Sequence, residues 1–119
     1  SLHAPDDATR EPIMPLNKRY PLGVLMPSLH RYVEKTNRRL TVEYILIDGL
    51  NDTAAHAHRL GKLLDGLKAN VNLIPYNPIS KDLPNRPDYR RSSRQAIMQF
   101  HAIVSSYHKK VTIRLERGV

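Results

Sequence analysis

The sequence predicts an α/β fold in which parallel strands alternate with helices. Segments with helical spacing of apolar residues alternate with short apolar segments rich in β-branched residues, in the order helix, strand, helix, strand, helix, strand. The segment at residues 40–47 is apolar at nearly every position, as is usual for a parallel strand covered on both faces. Such alternation is typical of parallel strands joined by right-handed crossovers.

The amino-terminal third contains a predicted loop and the first predicted helix. Residues 1–20 hold three prolines and scattered charges, which predict a loop that leaves a strand ending at residues 1–3. Residues 21–35 carry a helical apolar pattern, and Pro21 suits a first helical position. Because a proline inside a helix costs about 3 kcal/mol, we expect a kink at Pro27 or a helix that begins there.

The central third contains the clearest strand and the second helix. Residues 40–47, LTVEYILI, predict a strand with a single charge, Glu43. Residues 52–67 predict a helix capped by Asp52 or Thr53. Its buried stripe is predicted to comprise Leu60, Leu63, Leu64 and Leu67.

The last third repeats the alternation. The sequence predicts a strand at residues 70–75, a loop from Tyr76 to about Arg90, a helix at 92–108 and a strand at 111–115. An open parallel sheet of this size exposes its edge strands. We therefore interpret the chain as a contiguous slice of a larger barrel or half-barrel, with self-association through the open edges as a further hypothesis.

Polar side chains follow the predicted strands at their carboxyl ends, where parallel α/β folds bind ligands. The members of this set are Ser1, His3, Asp48, Asn51, Asn77, Glu116 and Arg117. Asn77 stands between Pro75 and Pro78, which restrict the backbone on both sides. Its amide could meet a ligand or cap its own turn, and the residues alone favour the turn.

Four motifs in this sequence resemble those of one enzyme family. They are SLHAP at 1–5, IMPLNKRYPL at 13–22, EYILIDGLNDTAAHA at 43–57 and NLIPYNP at 72–78. Together they resemble the radical-SAM adenosine C2-methyltransferases, cytoplasmic enzymes that modify 23S ribosomal RNA and certain tRNAs. The resemblance covers nearly the whole chain and implies that residues 1–119 form the carboxyl-terminal portion of a partial TIM-type (β/α) barrel.

The resemblance also implies a cofactor site. Carried over by motif, Ser1, Leu2, His3 and Asn77 are expected to bind S-adenosylmethionine, which reverses the preference for a turn at Asn77. Hydroxyl, imidazole, backbone and amide groups suit the ribose, adenine and amino-acid parts of that cofactor.

The resemblance implies a [4Fe–4S] cluster as well, bound by an upstream CxxxCxxC motif, and a methyl-carrying cysteine beyond the segment that matches Arg117 and Gly118. This chain has no cysteine, which excludes disulfides, thiolate metal sites and cysteine nucleophiles within it. We therefore expect no catalytic residue here, an inactive fragment, and a parent protein that carries the chemistry.

The charge balance favours an anionic partner. Lys and Arg number 19 against 11 for Asp and Glu, a formal net charge of +8, and such a domain is attracted to phosphate backbones. Some of the arginines at 86, 90, 91 and 94 are expected to contact RNA, given the resemblance. A solubilising surface and a non-catalytic basic RNA-binding module are the alternatives, and no apolar run is long enough to cross a membrane.

Two other features invite functional interpretations that we consider weaker. His56 and His58 are two residues apart on a predicted helix and point to different faces, so we expect surface or capping roles and no metal site. Glu43, alone in its apolar strand, is expected to pair with a buried Arg or Lys rather than to lie at the active rim with a raised pKa.

Overall fold

The predicted alternation of helices and strands is confirmed by the computed structural model, which describes residues 2–14, 21–78 and 88–114. The elements in chain order are α1 (Asp7–Ile13), α2 (Leu22–Thr36), β1 (Leu40–Leu46), α3 (Ala54–Leu63), β2 (Ala69–Pro75), α4 (Arg94–Ser105) and β3 (Val111–Ile113). Among the described residues, no helix is long and apolar enough to cross a membrane.

The strands form a parallel sheet in the order β1-β2-β3. Leu40 lies opposite Ala69 and Leu46 opposite Pro75, while Val71 lies opposite Val111. Because all neighbours are parallel, the carboxyl ends of the strands meet at one edge of the sheet, which we call the rim. Self-association through the edges of this sheet stays a prediction.

Alternating side chains give the sheet two different faces. One face packs against α2, α3 and α4 through the larger apolar cluster, in which Tyr44 and Phe100 have ring centroids 5.1 Å apart. The opposite face carries a smaller cluster formed by Ile13, Ile45, Ile47, Ile74 and Tyr76. Below this cluster the same face is polar, since Thr112 Oγ1 donates to Asn72 Oδ1 at 2.6 Å.

The prediction that residues 1–20 form a loop is wrong for its middle part, which is helix α1. Asp6 caps this helix, because its carboxylate accepts a hydrogen bond from Thr9 N at 2.8 Å. Pro12 obscured the helix in the sequence, yet it lies one residue before the helix ends at Ile13, where it removes one hydrogen bond from the last turn. Residues 1 and 15–20 lie outside the described ranges.

Helix α2 begins at Leu22 and continues through Pro27, so a helix that begins at Pro27 is wrong. Pro21 is the N-cap of this helix rather than its first helical residue. The helix ends at Thr36 and is followed by its C-cap Asn37, whose φ of 55° lies in the left-handed region that Asn tolerates.

Candidate functional site

Leu2 and His3 lie along the edge of β1 that faces away from β2. Leu2 N donates to Glu43 O at 2.9 Å, and Ile45 N donates to His3 Nδ1 at 2.9 Å. The imidazole therefore takes the place that a strand carbonyl would occupy. His3 is only 2% exposed and has a φ of 62°, a conformation that few residues other than glycine adopt.

Asn51 joins His3 to the end of β1. Its Nδ2 donates to His3 O at 2.9 Å and to Ile45 O at 2.7 Å, while its Oδ1 accepts from Ile47 N at 2.8 Å. The side chain is fully buried, at 0% exposure. The sequence placed Asn51 in the polar set after β1 but did not predict this role.

Burial sets the protonation state of His3. It lowers the pKa of His3 to about 4, and nearby positive charge, including that of Arg10, acts in the same direction. The ring is therefore neutral near pH 7. Because Nδ1 accepts from Ile45 N, the ring proton resides on Nε2, which has no hydrogen-bond partner in the described ranges.

Asn77 lies at the same rim as His3, beyond the end of β2. Tyr76 N donates to Leu46 O at 2.9 Å, which extends the pairing of β2 with β1 by one residue. Asn77 follows directly and is 4% exposed. His3 and Asn77 thus flank the carboxyl end of β1, as the sequence predicts, while Ser1 lies outside the described residues.

A returning segment, residues 88–92, covers the end of β1. Ile47 and Arg91 form an antiparallel bridge, and Asp48 N donates to Arg90 O at 2.8 Å. Tyr89 packs edge-on against Tyr76 with ring centroids 5.7 Å apart. The returning segment therefore covers the rim, and the sequence predicts most of this segment only as loop.

Asp52 holds this segment to the turn after β1. Its Oδ2 accepts from Ser92 Oγ at 2.7 Å, and its Oδ1 accepts from Gly49 N at 3.0 Å. Of the two predicted caps of α3, Thr53 is the correct one, since its Oγ1 accepts from His56 N. The proposed capping by Asp52 is wrong because its carboxylate is engaged with the neighbouring segment.

The two histidines on α3 have the structural roles that the sequence predicts. His56 completes a capping box with Thr53, and burial followed by the charge of Arg59 lowers the pKa of His56. His58 Nδ1 lies 2.9 Å from the hydroxyl oxygen of Tyr107. Within the described ranges, no three His, Asp or Glu side chains are grouped so as to hold a metal ion.

Glu43 forms the predicted ion pair, but with an exposed partner. Its Oε2 lies 2.9 Å from Arg114 Nη2, with the two side chains 32% and 49% exposed. The prediction that the partner is buried is wrong, because Arg114 follows the short outer strand β3 and keeps its guanidinium in water.

An apolar groove of about 330 Å³ lies beside the amino-terminal half of β1, and Leu2 of the predicted site contributes to its wall. Its wall includes Leu25, Leu29, Leu40, Thr41 and Leu64. Asn77 does not line it, and its wall offers few polar groups to a polar cofactor. We therefore place the candidate site at the rim and not in this groove.

Comparison with known proteins shows a consistent relationship. The chain is 43% identical over 119 residues to the "Probable dual-specificity RNA methyltransferase RlmN" of Synechocystis sp., covering 100% of the chain and 33% of that relative. It is 47% identical over 118 residues to the corresponding protein of Geobacillus thermodenitrificans, covering 99% of the chain and 31% of that relative. No family model matches.

A solved structure supports the same relationship. The chain superposes on a radical SAM methyltransferase from Sphaerobacter thermophilus with a TM-score of 0.90 and 44% identity, over 98% of this chain and 33% of that one. The chain is similar over its length to part of the RlmN-like radical SAM RNA methyltransferases. It spans about a third of the length of these relatives. The predicted resemblance and the predicted α/β fold are thereby confirmed.

Proposed function

We propose that this chain is part of an S-adenosylmethionine-dependent radical enzyme that methylates carbon 2 of adenosine in 23S ribosomal RNA and tRNA. The observation that carries the proposal is the 43% identity to a probable dual-specificity RNA methyltransferase over 100% of the chain. Since only 33% of that relative is covered, the remaining machinery belongs to the rest of the parent protein, a cytoplasmic enzyme.

In this proposal Ser1, Leu2, His3 and Asn77 form part of the wall that binds S-adenosylmethionine. The chemistry of the described residues fits that role. The neutral His3 ring offers an Nε2–H donor that no described residue uses, and Asn77 brings an amide to the same rim. Uncharged donors and acceptors suit the adenine, ribose and amino-acid groups of the cofactor.

The residues of this chain orient the cofactor and keep water away from it. His3 is held by Ile45 N and, through its carbonyl, by Asn51, so its Nε2–H has a defined direction. The returning segment with Tyr89 covers the rim. When bound, S-adenosylmethionine would supply the methyl group and the radical chemistry.

The iron–sulfur cluster does not fit this chain. Thiolates are the usual ligands of such clusters, and the 119 residues contain no cysteine. We therefore assign the [4Fe–4S] cluster and the methyl-carrying cysteine to other parts of the parent protein, and expect the isolated chain to be inactive.

Exposed arginines near the rim support an RNA substrate. Arg90 and Arg91 lie on the returning segment, and Arg94 begins α4. Forked guanidinium donors suit phosphate oxygens. Arg86, the remaining arginine of the predicted group, lies outside the described residues.

Calorimetry of S-adenosylmethionine binding to the parent protein with its cluster reconstituted tests the proposal. We expect Asn77→Ala to weaken binding about tenfold, the loss of roughly one hydrogen bond or slightly more. Asn72→Ala is the matched control, because Asn72 lies on the same strand and its Oδ1 is engaged by Thr112. Its affinity should stay unchanged.

Two results would contradict the proposal in different ways. Wild-type affinity in the Asn77→Ala variant would remove Asn77 from the cofactor wall. RNA binding by a wild-type protein that shows no heat with S-adenosylmethionine would favour the alternative, a non-catalytic basic RNA-binding module.

A further inference from the structure

We propose that a row of cations at the edge of the sheet opposite the rim binds the phosphate backbone of RNA. These cations lie in the loops that precede the three strands, and we call them the basic strip. Its members are Arg38, Arg39, Lys68, Lys109 and Lys110. The inference rests on the proposed function, since it assumes that the parent protein acts on RNA.

Parallel pairing brings these loops together although they are far apart in sequence. Leu40 N donates to Lys68 O at 3.0 Å, and Val71 N donates to Lys110 O at 2.8 Å. Lys68 Nζ also donates to Asn37 Oδ1 at 3.4 Å. The strip therefore crosses two strand spacings, about 10 Å in total.

The strip is exposed and its charge is not neutralised. All of its members are exposed, and none forms an ion pair with a described acidic residue. The nearest acids in sequence, Glu34 and Asp65, lie in or just after the helices that precede the strands. Five unpaired cations at one edge form a site for a polyanion rather than for a single carboxylate.

Stabilisation of helix ends does not account for the strip, because the basic residues in the last turns of α2 and α3 lie outside it. Cations in the last turn of a helix interact favourably with its dipole, and Lys35 of α2 and Lys62 of α3 are so placed. Helix α4 has no basic residue in its last turn, whereas Lys109 and Lys110 follow beyond it. These two lysines therefore belong to the strip and lie outside the last turn of the helix.

The position of the strip specifies which part of the RNA it contacts. Seven-residue strands separate it from the rim, a distance of about 20 Å at the usual rise of a strand. The strip therefore contacts backbone remote from the adenosine at the rim. An RNA must be large and folded to reach both sites.

Salt-dependent binding of the parent protein to an unmodified tRNA transcript tests the strip. The variant Lys68→Gln/Lys110→Gln removes two strip charges, and Arg31→Gln/Lys62→Gln removes two charges from exposed helix positions as a matched control. If each lysine contacts one phosphate, the slope of log affinity against log salt falls by about 1.5. We expect affinity near 0.1 M salt to fall about fivefold or more in the strip variant only.

A short single-stranded oligonucleotide that contains the target adenosine provides the second arm. It should bind the wild type and the strip variant equally, because it cannot span from the rim to the strip. Equal loss on this oligonucleotide and on tRNA, or equal slopes for the strip and control variants, would overturn the strip and leave the proposed function intact. A wild-type protein that binds no RNA would overturn both.

Discussion

The side-chain amide of Asn51 donates to the backbone carbonyl of His3 at 2.9 Å, across 48 residues of sequence. The same amide group satisfies Ile45 O in β1 and Ile47 N just beyond the end of that strand. Asn51 thus couples the end of the strand to the residue that we place in the cofactor wall. In the proposed site Asn51 would position His3 rather than touch the cofactor, because its own polar atoms are occupied by the protein.

Replacing Asn51 should destabilise the fold strongly. Asn51→Ala leaves Ile47 N, Ile45 O and His3 O without a partner in a fully buried place. We expect the free energy of unfolding to fall by about 3 kcal/mol, since each buried unsatisfied group costs roughly 1 kcal/mol or more. Urea unfolding measures this change.

The control for Asn51 is a second asparagine. Asn72→Ala removes one hydrogen bond at a half-buried position, so we expect a loss of about 1 kcal/mol. Equal losses in the free energy of unfolding for the two substitutions would contradict the larger contribution expected from the hydrogen bonds of Asn51.

Protonation of His3 should make the protein less stable in mild acid. The folded state lowers the pKa of His3 from 6.5 to about 4, chiefly through burial, so folding favours the neutral ring. This stabilisation is complete above pH 6.5 and is lost as the pH falls towards 4. The difference is on the order of 3 kcal/mol.

The measurement is the free energy of unfolding between pH 7 and pH 4 for the wild type and for His3→Gln, which cannot titrate. The variant should show a flatter profile. His56→Gln serves as the control, because the pKa of His56 is lowered at a less buried site. Identical slopes for the wild type and His3→Gln would contradict the prediction.

Gly61 allows the ring of Tyr107, two residues beyond the end of α4, to pack closely against α3. A Cβ at this position would meet the ring of Tyr107 on three atoms, well inside contact distance. We expect Gly61→Ala to destabilise the protein by about 1–3 kcal/mol through overpacking, as measured by thermal unfolding. The double variant Gly61→Ala/Tyr107→Ala should lose less than the sum of the two single variants.

Another helical glycine provides the comparison. Gly23 in α2 has open space around it, so Gly23→Ala should stabilise the protein by about 0.5–1 kcal/mol through helix propensity. A similar response at both glycines would mean that contact with Tyr107 is irrelevant.

Asp52 should control the order of the returning segment over the rim. Asp52→Ala removes the acceptor of Ser92 Oγ and of Gly49 N. We expect amide hydrogen exchange at residues 88–92 to become about tenfold faster or more, since a lost hydrogen bond of about 1.4 kcal/mol would shift local opening by that factor.

Thr53→Ala tests whether that effect is specific. It removes the N-cap of α3 one residue away, so it should accelerate exchange in the first turn of α3 and leave residues 88–92 unchanged. Faster exchange over the returning segment in both variants would indicate general loosening rather than loss of a tether.

The sequence by itself determined the order of the elements from α2 to β3, the resemblance to an enzyme family and the exclusion of thiolate chemistry. These features are carried by local periodicity, by short motifs and by the absence of one residue type, all of which can be counted along the chain. The position of the rim was also predictable, because parallel strands bring their carboxyl ends to one edge of the sheet. His3 and Asn77 were predicted as cofactor-binding residues on that basis together with the resemblance.

Only the tertiary structure decided the contacts between distant segments. The bonds of Asn51 to His3, of Asp52 to Ser92 and of Glu43 to Arg114 each depend on strand register and chain return, which no local pattern encodes. The basic strip likewise exists only once three loops meet at one edge of the sheet. Helix α1 was missed because Pro12 made a helix look unlikely in this segment. The N-cap at Asp6, which stabilises the helix in the folded chain, was not recognised in the sequence.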